Sequence, residues 1–414
     1  MILRFSVSNY RSIRTEESIS LIATTLKEDR PPLPAKVGKG IPGVLPTALV
    51  YGANASGKSN LLRAIKHIVR AVLYSHNSDP GSGVPTKPFA LDEECAMIPT
   101  QMEIDFILED VRYNFGFSAT PEEFTEEWLY SFPEGRQRLL YERSRQDVNF
   151  GKSMRGAKKT LSEFMRPNSL FISTATQNNH EELSRISKFF GSIEFVEDST
   201  VFGVTEKFEI EKPVIRFIES VGTGIVDCQT KENALTSRQK ELFADLVPIM
   251  QKHLEIGTDS DVSTLEKTYE LELGHRAKGG KVIYFDIKQE SRGTQRLLFM
   301  MAHVFKALES GSVLLIDEID LSLHTHAVER IIELFTSRTM NPNGAQLIAT
   351  THDTNLLSSH SLRRDEVWFS EKDRFGSSRY FPMSDIKSRK RDDFERGYLE
   401  GRFGAVPSSS LFGD

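Results

Sequence analysis

The spacing of apolar positions changes along the chain. Leu3 to Val7 alternates as a half-buried strand does, and Asn9-Tyr10-Arg11-Ser12 reads as the turn after it. Ala48-Leu49-Val50-Tyr51 is a continuous apolar run, the pattern of a short buried strand. A Gly-rich turn follows, and from Lys58 onward Leu61, Leu62, Ile65 and Ile68 share one face of a predicted helix. Met102, Ile104 and Phe106, then Tyr113, Phe115 and Phe117, alternate on either side of Glu109-Asp110, which predicts a hairpin with an aromatic face. Lys27 to Pro46 and His76 to Pro88 are rich in Pro, Gly and polar residues and read as loops.

Between Ser131 and Val262 charge rises and helical spacing appears, in Leu183, Ile186, Phe189 and Phe190 and again in Leu242, Leu246 and Ile249, where Pro248 breaks the segment. Residues 131–262 are therefore expected to form a mostly helical insertion between two halves, 1–130 and 263–414. Its heptads are too short for an extended coiled coil. Strand patterns resume at Tyr269 to Leu273 and at Val282 to Phe285, joined through Lys278-Gly279-Gly280. The last third alternates strand and helix, which predicts α/β layering. The Ser-rich end, Pro407 to Asp414, is expected to be loose.

Composition narrows the class. The chain has 414 residues and a formal net charge of -6, so overall charge gives no support to a strongly basic nucleic-acid binder. Cys95 and Cys228 are the only cysteines, too few for a disulfide framework or a cysteine metal cluster. Met1-Ile2-Leu3-Arg4-Phe5 does not begin a secretory signal. No apolar stretch approaches the roughly 20 residues of a membrane helix. The expectation is a cytoplasmic protein with no membrane partner.

Four segments carry candidate chemistry. Gly52-Ala53-Asn54-Ala55-Ser56-Gly57-Lys58-Ser59 fits the full G-x-x-x-x-G-K-[ST] pattern between an apolar strand and an amphipathic helix. Its glycines let the backbone wrap phosphate oxygens, and the helix N-terminus faces the anion. Gly52, Asn54, Ser56, Gly57, Lys58, Ser59 and the adjoining Asn60 are the candidate nucleotide-binding residues. Lys58 is expected to neutralise β- and γ-phosphates, and Ser59 is the candidate Mg²⁺ ligand. Val313-Leu314-Leu315-Ile316 predicts a buried strand, with Asp317 and Glu318 emerging at the end where α/β sheets bind ligands. There Asp317 is the candidate metal residue and Glu318 the residue that polarises water. Glu290-Ser291-Arg292-Gly293-Thr294-Gln295 opens an apolar helix and forms a second anion-binding cap through Ser291 and Gly293, with a plain N-cap as the alternative. Leu347-Ile348-Ala349-Thr350-Thr351-His352-Asp353 places His352 at the end of a strand expected beside the Asp317 strand, within reach of a γ-phosphate.

Together these residues resemble the ABC/SMC/RecF-like P-loop ATPases. Gly52 to Ser59 resembles their Walker A loop, and Ser291 to Gln295 a divergent signature motif. Val313 to Glu318 is similar to Walker B, Ile319 to His324 to the D-loop, and His352 to the switch histidine. The opening Phe5 to Ile13 is similar to the first strand of such heads, which makes Arg11 a candidate nucleotide contact. The early Asn-Tyr-Arg-Ser turn, Glu-Ser-Arg-Gly-Thr, Asp-Glu-Ile-Asp, Asp365 to Phe369, and Tyr398 to Pro407 resemble the abortive-infection ATPases of RloA and OLD-like type. The resemblance implies an α/β ABC-type ATPase head: a mixed β-sheet, an antiparallel β subdomain and flanking helices, with a helical insertion. It also implies ATP and Mg²⁺ as cofactors and hydrolysis by Glu318, His352 and Lys58. The ATP site would be completed in a homodimer or higher homo-oligomer, where Ser291 and Gly293 of a second copy cap it. A toxin or nuclease encoded nearby is the implied partner, in anti-phage defence. The signature lacks the Leu-Ser-Gly-Gly-Gln form of transporters, and Gln101 is a weak Q-loop candidate. About 60 residues after His352 are too few for a Toprim nuclease domain. A DNA repair ATPase, with Lys387 to Arg391 feeding a nucleic-acid groove, and a non-catalytic nucleotide-binding scaffold stay open as alternatives.

Overall fold

The computed structural model describes residues 1–35, 41–196, 210–234, 238, 267–358, 361–386 and 393–404. The chain divides into two compact units, Met1–Val196 with Lys306–Asp414, and Glu197–Phe305.

The first unit holds two sheets. One is antiparallel throughout: β1 (Ile2–Ser8), β2 (Glu17–Ser20), β4 (Thr100–Leu108), β5 (Val111–Ala119), β6 (Phe124–Phe132), β7 (Arg138–Ser144) and β8 (Asp147–Phe150), in the order β2-β1-β4-β5-β6-β7-β8. The predicted hairpin is β4–β5. Glu109 and Asp110 form its two-residue loop at φ 50° and 59°. Two successive positive φ values match the twist of the flanking strands. Its aromatic face is buried: Phe106 stacks on Phe189 with ring centroids 4.5 Å apart, and Phe115 meets Phe190 edge-on at 5.6 Å. Both partners lie on α4 (Glu181–Gly191), the helix expected from their spacing.

The other sheet is mixed. It comprises β3 (Thr47–Gly52), β9 (Glu194–Val196), β13 (Val313–Ile316), β14 (Gln346–Thr350), β15 (Val367–Lys372) and β16 (Ser378–Pro382), in the order β16-β15-β3-β14-β13-β9. All neighbours are parallel except β15 and β16. Every residue of β3, β13 and β14 is buried, which is why these segments read as unbroken apolar runs. The helices of this unit are α1 (Lys58–Tyr74), α2 (Lys158–Glu163), α3 (Phe171–Gln177), α4, α7 (Thr325–Thr336) and α8 (Phe394–Leu399). Between them α5 (Lys212–Ser220) and α6 (Arg292–Ser310) occur in the chain.

Two polar devices pin the sheets. The fully buried Gln346 on β14 accepts from Ile2 N–H at 2.6 Å and donates to the carbonyls of Ile2 (3.0 Å) and Leu45 (3.1 Å). A buried side-chain amide tied this way fixes β1 against β14. Glu127 on β6 accepts from Tyr141 Oη at 2.6 Å, from the N–H groups of Phe171 (2.6 Å) and Ile172 (3.0 Å), and from Arg143 Nη1 at 3.4 Å. Arg143 also donates to the Ser169 carbonyl at 2.6 Å. The carboxylate thus neutralises a buried guanidinium and holds the first turn of α3.

The span 131–262 differs from the single helical insertion expected. Its start, β7 and β8, continues the antiparallel sheet, and β9 joins the mixed sheet. In β7 the buried Leu140 and Tyr141 sit among Arg138, Glu142 and Arg143, and the charges mask the strand signal. Residues 158–191 carry the helices α2, α3 and α4 within the first unit. In the second unit the described part is α5, the antiparallel strands β10 (Ile225–Ala234), β11 (Lys267–Arg276) and β12 (Val282–Asp286), and the start of α6. The β11–β12 turn carries positive φ at Gly279 and Gly280, as the Lys-Gly-Gly sequence predicts. Leu242, Leu246, Pro248 and Ile249, the basic run Lys387 to Arg391, and the tail from Ala405 lie outside the described residues.

Candidate functional site

Parallel strands bring their C-terminal ends to one edge, and the candidate residues follow those ends. β3 ends at Gly52, β13 at Ile316 and β14 at Thr350, with Ile316 beside Ala349 and Thr350 beside Val50. The register therefore sets Asp317, Thr350 and Val50 side by side.

Gly52 begins the loop and Gly57, at φ 113°, ends it as the N-cap of α1. Gly57 needs that conformation, and a Cβ there would lie 2.1 Å from Ser378 Oγ. At Gly52 a Cβ would lie 2.3 Å from the Ser370 carbonyl. Lys58 is buried and its Nζ donates to the carbonyls of Gly52 (2.8 Å) and Ala53 (3.0 Å), which folds the ammonium back over the loop. Burial lowers its pKa from the ordinary lysine value, and the carboxylates of Glu318, Asp317 and Asp320 oppose that shift. Ala55, inside the loop, also takes the left-handed conformation, at φ 64°.

Ser59 Oγ donates to Asp317 Oδ1 at 3.0 Å, and Thr350 Oγ1 donates to the same oxygen at 2.6 Å. Thr350 Oγ1 in turn accepts from the Glu318 N–H at 2.7 Å. Glu318 lies at φ 53°, rare for a residue with a Cβ, and its N–H anchor helps hold it there. Asp320 accepts from the His352 N–H with both oxygens at 3.2 Å. His352 is exposed, and the next residue, Asp353, accepts from Thr325 Oγ1 at 2.6 Å. A hydroxyl and a carboxylate oxygen this close suit a hard divalent cation that takes its remaining oxygens from phosphate and water. Among the described residues no group of three or more His, Cys, Asp or Glu could hold a metal alone.

The structure brings Gly52, Ser56, Gly57, Lys58, Ser59, Asp317 and Glu318 to one edge of the mixed sheet. Asn60 turns elsewhere: its Nδ2 donates to Ser12 Oγ at 2.7 Å, and its Oδ1 accepts from Arg63 at 3.3 Å. Arg11 donates its N–H to the Lys87 carbonyl at 2.6 Å, and its guanidinium lies 5.6 Å from the Tyr10 ring. Ser291 and Gly293 belong to the second unit. There Ser291 Oγ accepts from the Thr294 N–H at 3.1 Å and lies 2.9 Å from Thr294 Oγ1, so Ser291 caps α6. Gln101 is an exposed residue within β4. Sequence reasoning passed over Thr350 and Asp320 as site residues. Their signal was position: each lies at or just beyond the end of a buried parallel strand.

A glycine-lined loop between a buried strand and a helix, with a serine in the helix's first turn bonded to an aspartate just beyond a neighbouring strand, defines a nucleotide-binding P-loop protein on an α/β sheet. The chain belongs to the family described as "AAA domain, putative AbiEii toxin, Type IV TA system", which matches residues 48–358. The chain is also similar to a solved dimer of an ATP-binding cassette in a post-hydrolysis state bound to ADP and Pi, at 12% identity. That alignment covers 92% of this chain and 98% of the other at a TM-score of 0.28, too low to establish a shared fold. No curated protein matches the chain. Among the described residues no helix is long and apolar enough to cross a membrane.

Proposed function

We propose that the protein is an ATP-hydrolysing nucleotide switch whose site closes when two copies meet. The observation that carries this reading is the run of hydrogen bonds Ser59–Asp317–Thr350–Glu318, which joins the phosphate loop to both acids at the sheet edge. Backbone N–H groups of the loop and Lys58 would receive the β- and γ-phosphates. Ser59 Oγ and Asp317 would hold Mg²⁺, which when bound neutralises charge on the phosphate oxygens. Glu318 accepts a proton from water as the water oxygen bonds to the γ-phosphorus. The bond from that phosphorus to the β–γ bridging oxygen breaks, and the bridging oxygen leaves with ADP. His352 would face the γ-phosphate from a loop that Asp320 fixes through the backbone. Ser291 and Gly293 of a second copy would cap the nucleotide, their helix start offering N–H groups to the γ-phosphate.

The family's association with a type IV toxin–antitoxin system supports a defence setting, in which nucleotide state controls a toxin or nuclease partner. ATP can move such an equilibrium only through its different affinities for the open and closed states. Glu318→Gln should bind ATP, fail to turn it over and accumulate a dimer on size exclusion, and Lys58→Ala should lose nucleotide binding. A Glu318→Gln protein that stays monomeric with ATP bound sinks the closing of two copies. Unchanged nucleotide affinity in Lys58→Ala sinks the site itself.

A further inference from the structure

We infer that Ser378 and Tyr380 on β16, with Ser12 from the N-terminal turn, are positioning residues that aim the phosphate-loop amides. This rests on the nucleotide-binding reading above. A loop that turns its N–H groups toward an anion must turn the carbonyls of the same peptides away from it. The peptide is planar and trans, so a carbonyl and the amide of its own unit point in opposite directions. All described peptides are trans. Fixing the Ser56 carbonyl therefore fixes the Gly57 N–H, and fixing the Gly57 carbonyl fixes the Lys58 N–H.

Both carbonyls are held from outside the loop. The Ser56 carbonyl accepts from Ser378 Oγ at 2.7 Å and from Ser370 Oγ at 3.2 Å. The Gly57 carbonyl accepts from Tyr380 Oη at 2.7 Å, beside the Asn60 N–H of the helix at 2.8 Å. These donors are buried on β15 and β16, far along the chain from residue 57. Burial pushes the Tyr380 phenol well above its ordinary value, so it keeps its proton and stays a donor.

The hydroxyls form a directed chain. Ser378 spends its one proton on the Ser56 carbonyl, so across the 2.7 Å contact with Ser12 Oγ it must accept. Ser12 therefore donates to Ser378 and accepts from Asn60 Nδ2 at 2.7 Å. The chain runs Asn60 to Ser12 to Ser378 to the loop carbonyl, and each hydroxyl has its donor and acceptor roles filled. Ser12 and Ser378 are also joined by backbone, with Ser378 N–H donating to the Ser12 carbonyl at 2.7 Å. Plain packing of the hairpin would need no hydroxyl aimed at the loop, since Val, Phe or Ala would fill the same volumes.

The deciding experiment measures Mg·ATP and inorganic tripolyphosphate affinity of the full chain by calorimetry. The proteins are wild type, Ser378→Ala with Tyr380→Phe, and Lys58→Ala, each with its melting temperature taken without nucleotide. Loss of two aiming bonds should weaken both ligands about tenfold or more. The tripolyphosphate arm separates amide aiming from base recognition, and a purely structural role would lower the melting temperature without changing the affinity of the folded protein. Ser378→Thr, which keeps a hydroxyl, should recover affinity. If the double variant does not fold, Tyr380→Phe and Ser12→Ala, each removing a single oxygen, decide by the same measure. Affinities within twofold of wild type, while Lys58→Ala loses binding, overturn the aiming role and leave the nucleotide site standing. A wild-type protein that binds neither ligand overturns the nucleotide reading, and the aiming role with it.

Discussion

Glu127 in the antiparallel sheet and Asp317 at the edge of the mixed sheet are both carboxylates among buried strands, but they are held differently. Glu127 sits against Arg143, with both side chains fully buried, and takes two backbone amides and a phenol besides. Its charge is consumed within the fold. Asp317 is half-buried and is held by two neutral hydroxyls, Ser59 and Thr350. Hydroxyl donors orient a carboxylate without cancelling its charge. On the function proposed above, the contrast offers a rule for reading such acids: a guanidinium partner marks a structural acid, and hydroxyl partners mark one kept for a cation.

The largest test of that rule is Glu127→Ala. It strands a buried guanidinium and the amides at the start of α3, so unfolding free energy should fall by about 3–5 kcal/mol. Urea denaturation followed by circular dichroism reads it, and a loss under about 1 kcal/mol would remove the structural half of the comparison. Next comes the seam between the two regions. His67 on α1 meets Tyr10 with ring centroids 5.5 Å apart and Phe117 of the antiparallel sheet at 6.2 Å. Burial, with Arg11 and Arg70 adding to it, lowers its pKa to about 4. A depressed histidine is neutral in both states above about pH 6.5. Below that the unfolded chain binds the proton first, so stability declines until about pH 4, by roughly 3 kcal/mol in all. Denaturation midpoints measured between pH 7 and pH 4 should show this slope in wild type and less of it in His67→Leu; equal slopes would contradict it.

The effects at the mixed-sheet edge should be smaller in stability and larger in chemistry. Asp317→Asn keeps an oxygen for both hydroxyls and exchanges the second, charge-bearing oxygen for an amide nitrogen. It should change stability by less than about 1 kcal/mol and weaken Mg²⁺-dependent nucleotide binding by about 100-fold. Metal-titrated binding that matches wild type would show that Asp317 is structural after all. The least drastic change, Thr350→Val, removes the shared hydroxyl and should lower turnover about tenfold. A turnover equal to wild type there would leave Thr350 a packing residue.

What the sequence could reveal depended on how local each signal was. The phosphate loop, the β13 acids and the β4–β5 turn are written in consecutive residues, so their spacing alone placed them. The Glu127–Arg143–α3 anchor joins residues from β6, β7 and the start of α3, and no periodicity carries such a meeting. Residues 138–150 were read within a helical stretch because the charges of β7 are not sorted to one face: Arg138 is exposed, Glu142 is half-buried and Arg143 is buried against Glu127. Thr350 looked like the end of a buried strand; that strand was expected beside the Asp317 strand, but only the parallel register, with Ile316 opposite Ala349, brings the Thr350 hydroxyl onto Asp317. Asn60 followed the loop in sequence, yet its amide faces Ser12, because the side chains of successive helical residues point in different directions.

The left-handed backbone at Glu318 sets robustness against turnover at a single codon. A non-glycine residue there carries roughly 1–2 kcal/mol of backbone strain. Glycine would release it and delete the proposed proton acceptor in the same step. A library screened for heat resistance alone should therefore enrich Gly or Asn at 318 and return sturdy, silent proteins. Screening the same library for phosphate release should restore the strained glutamate.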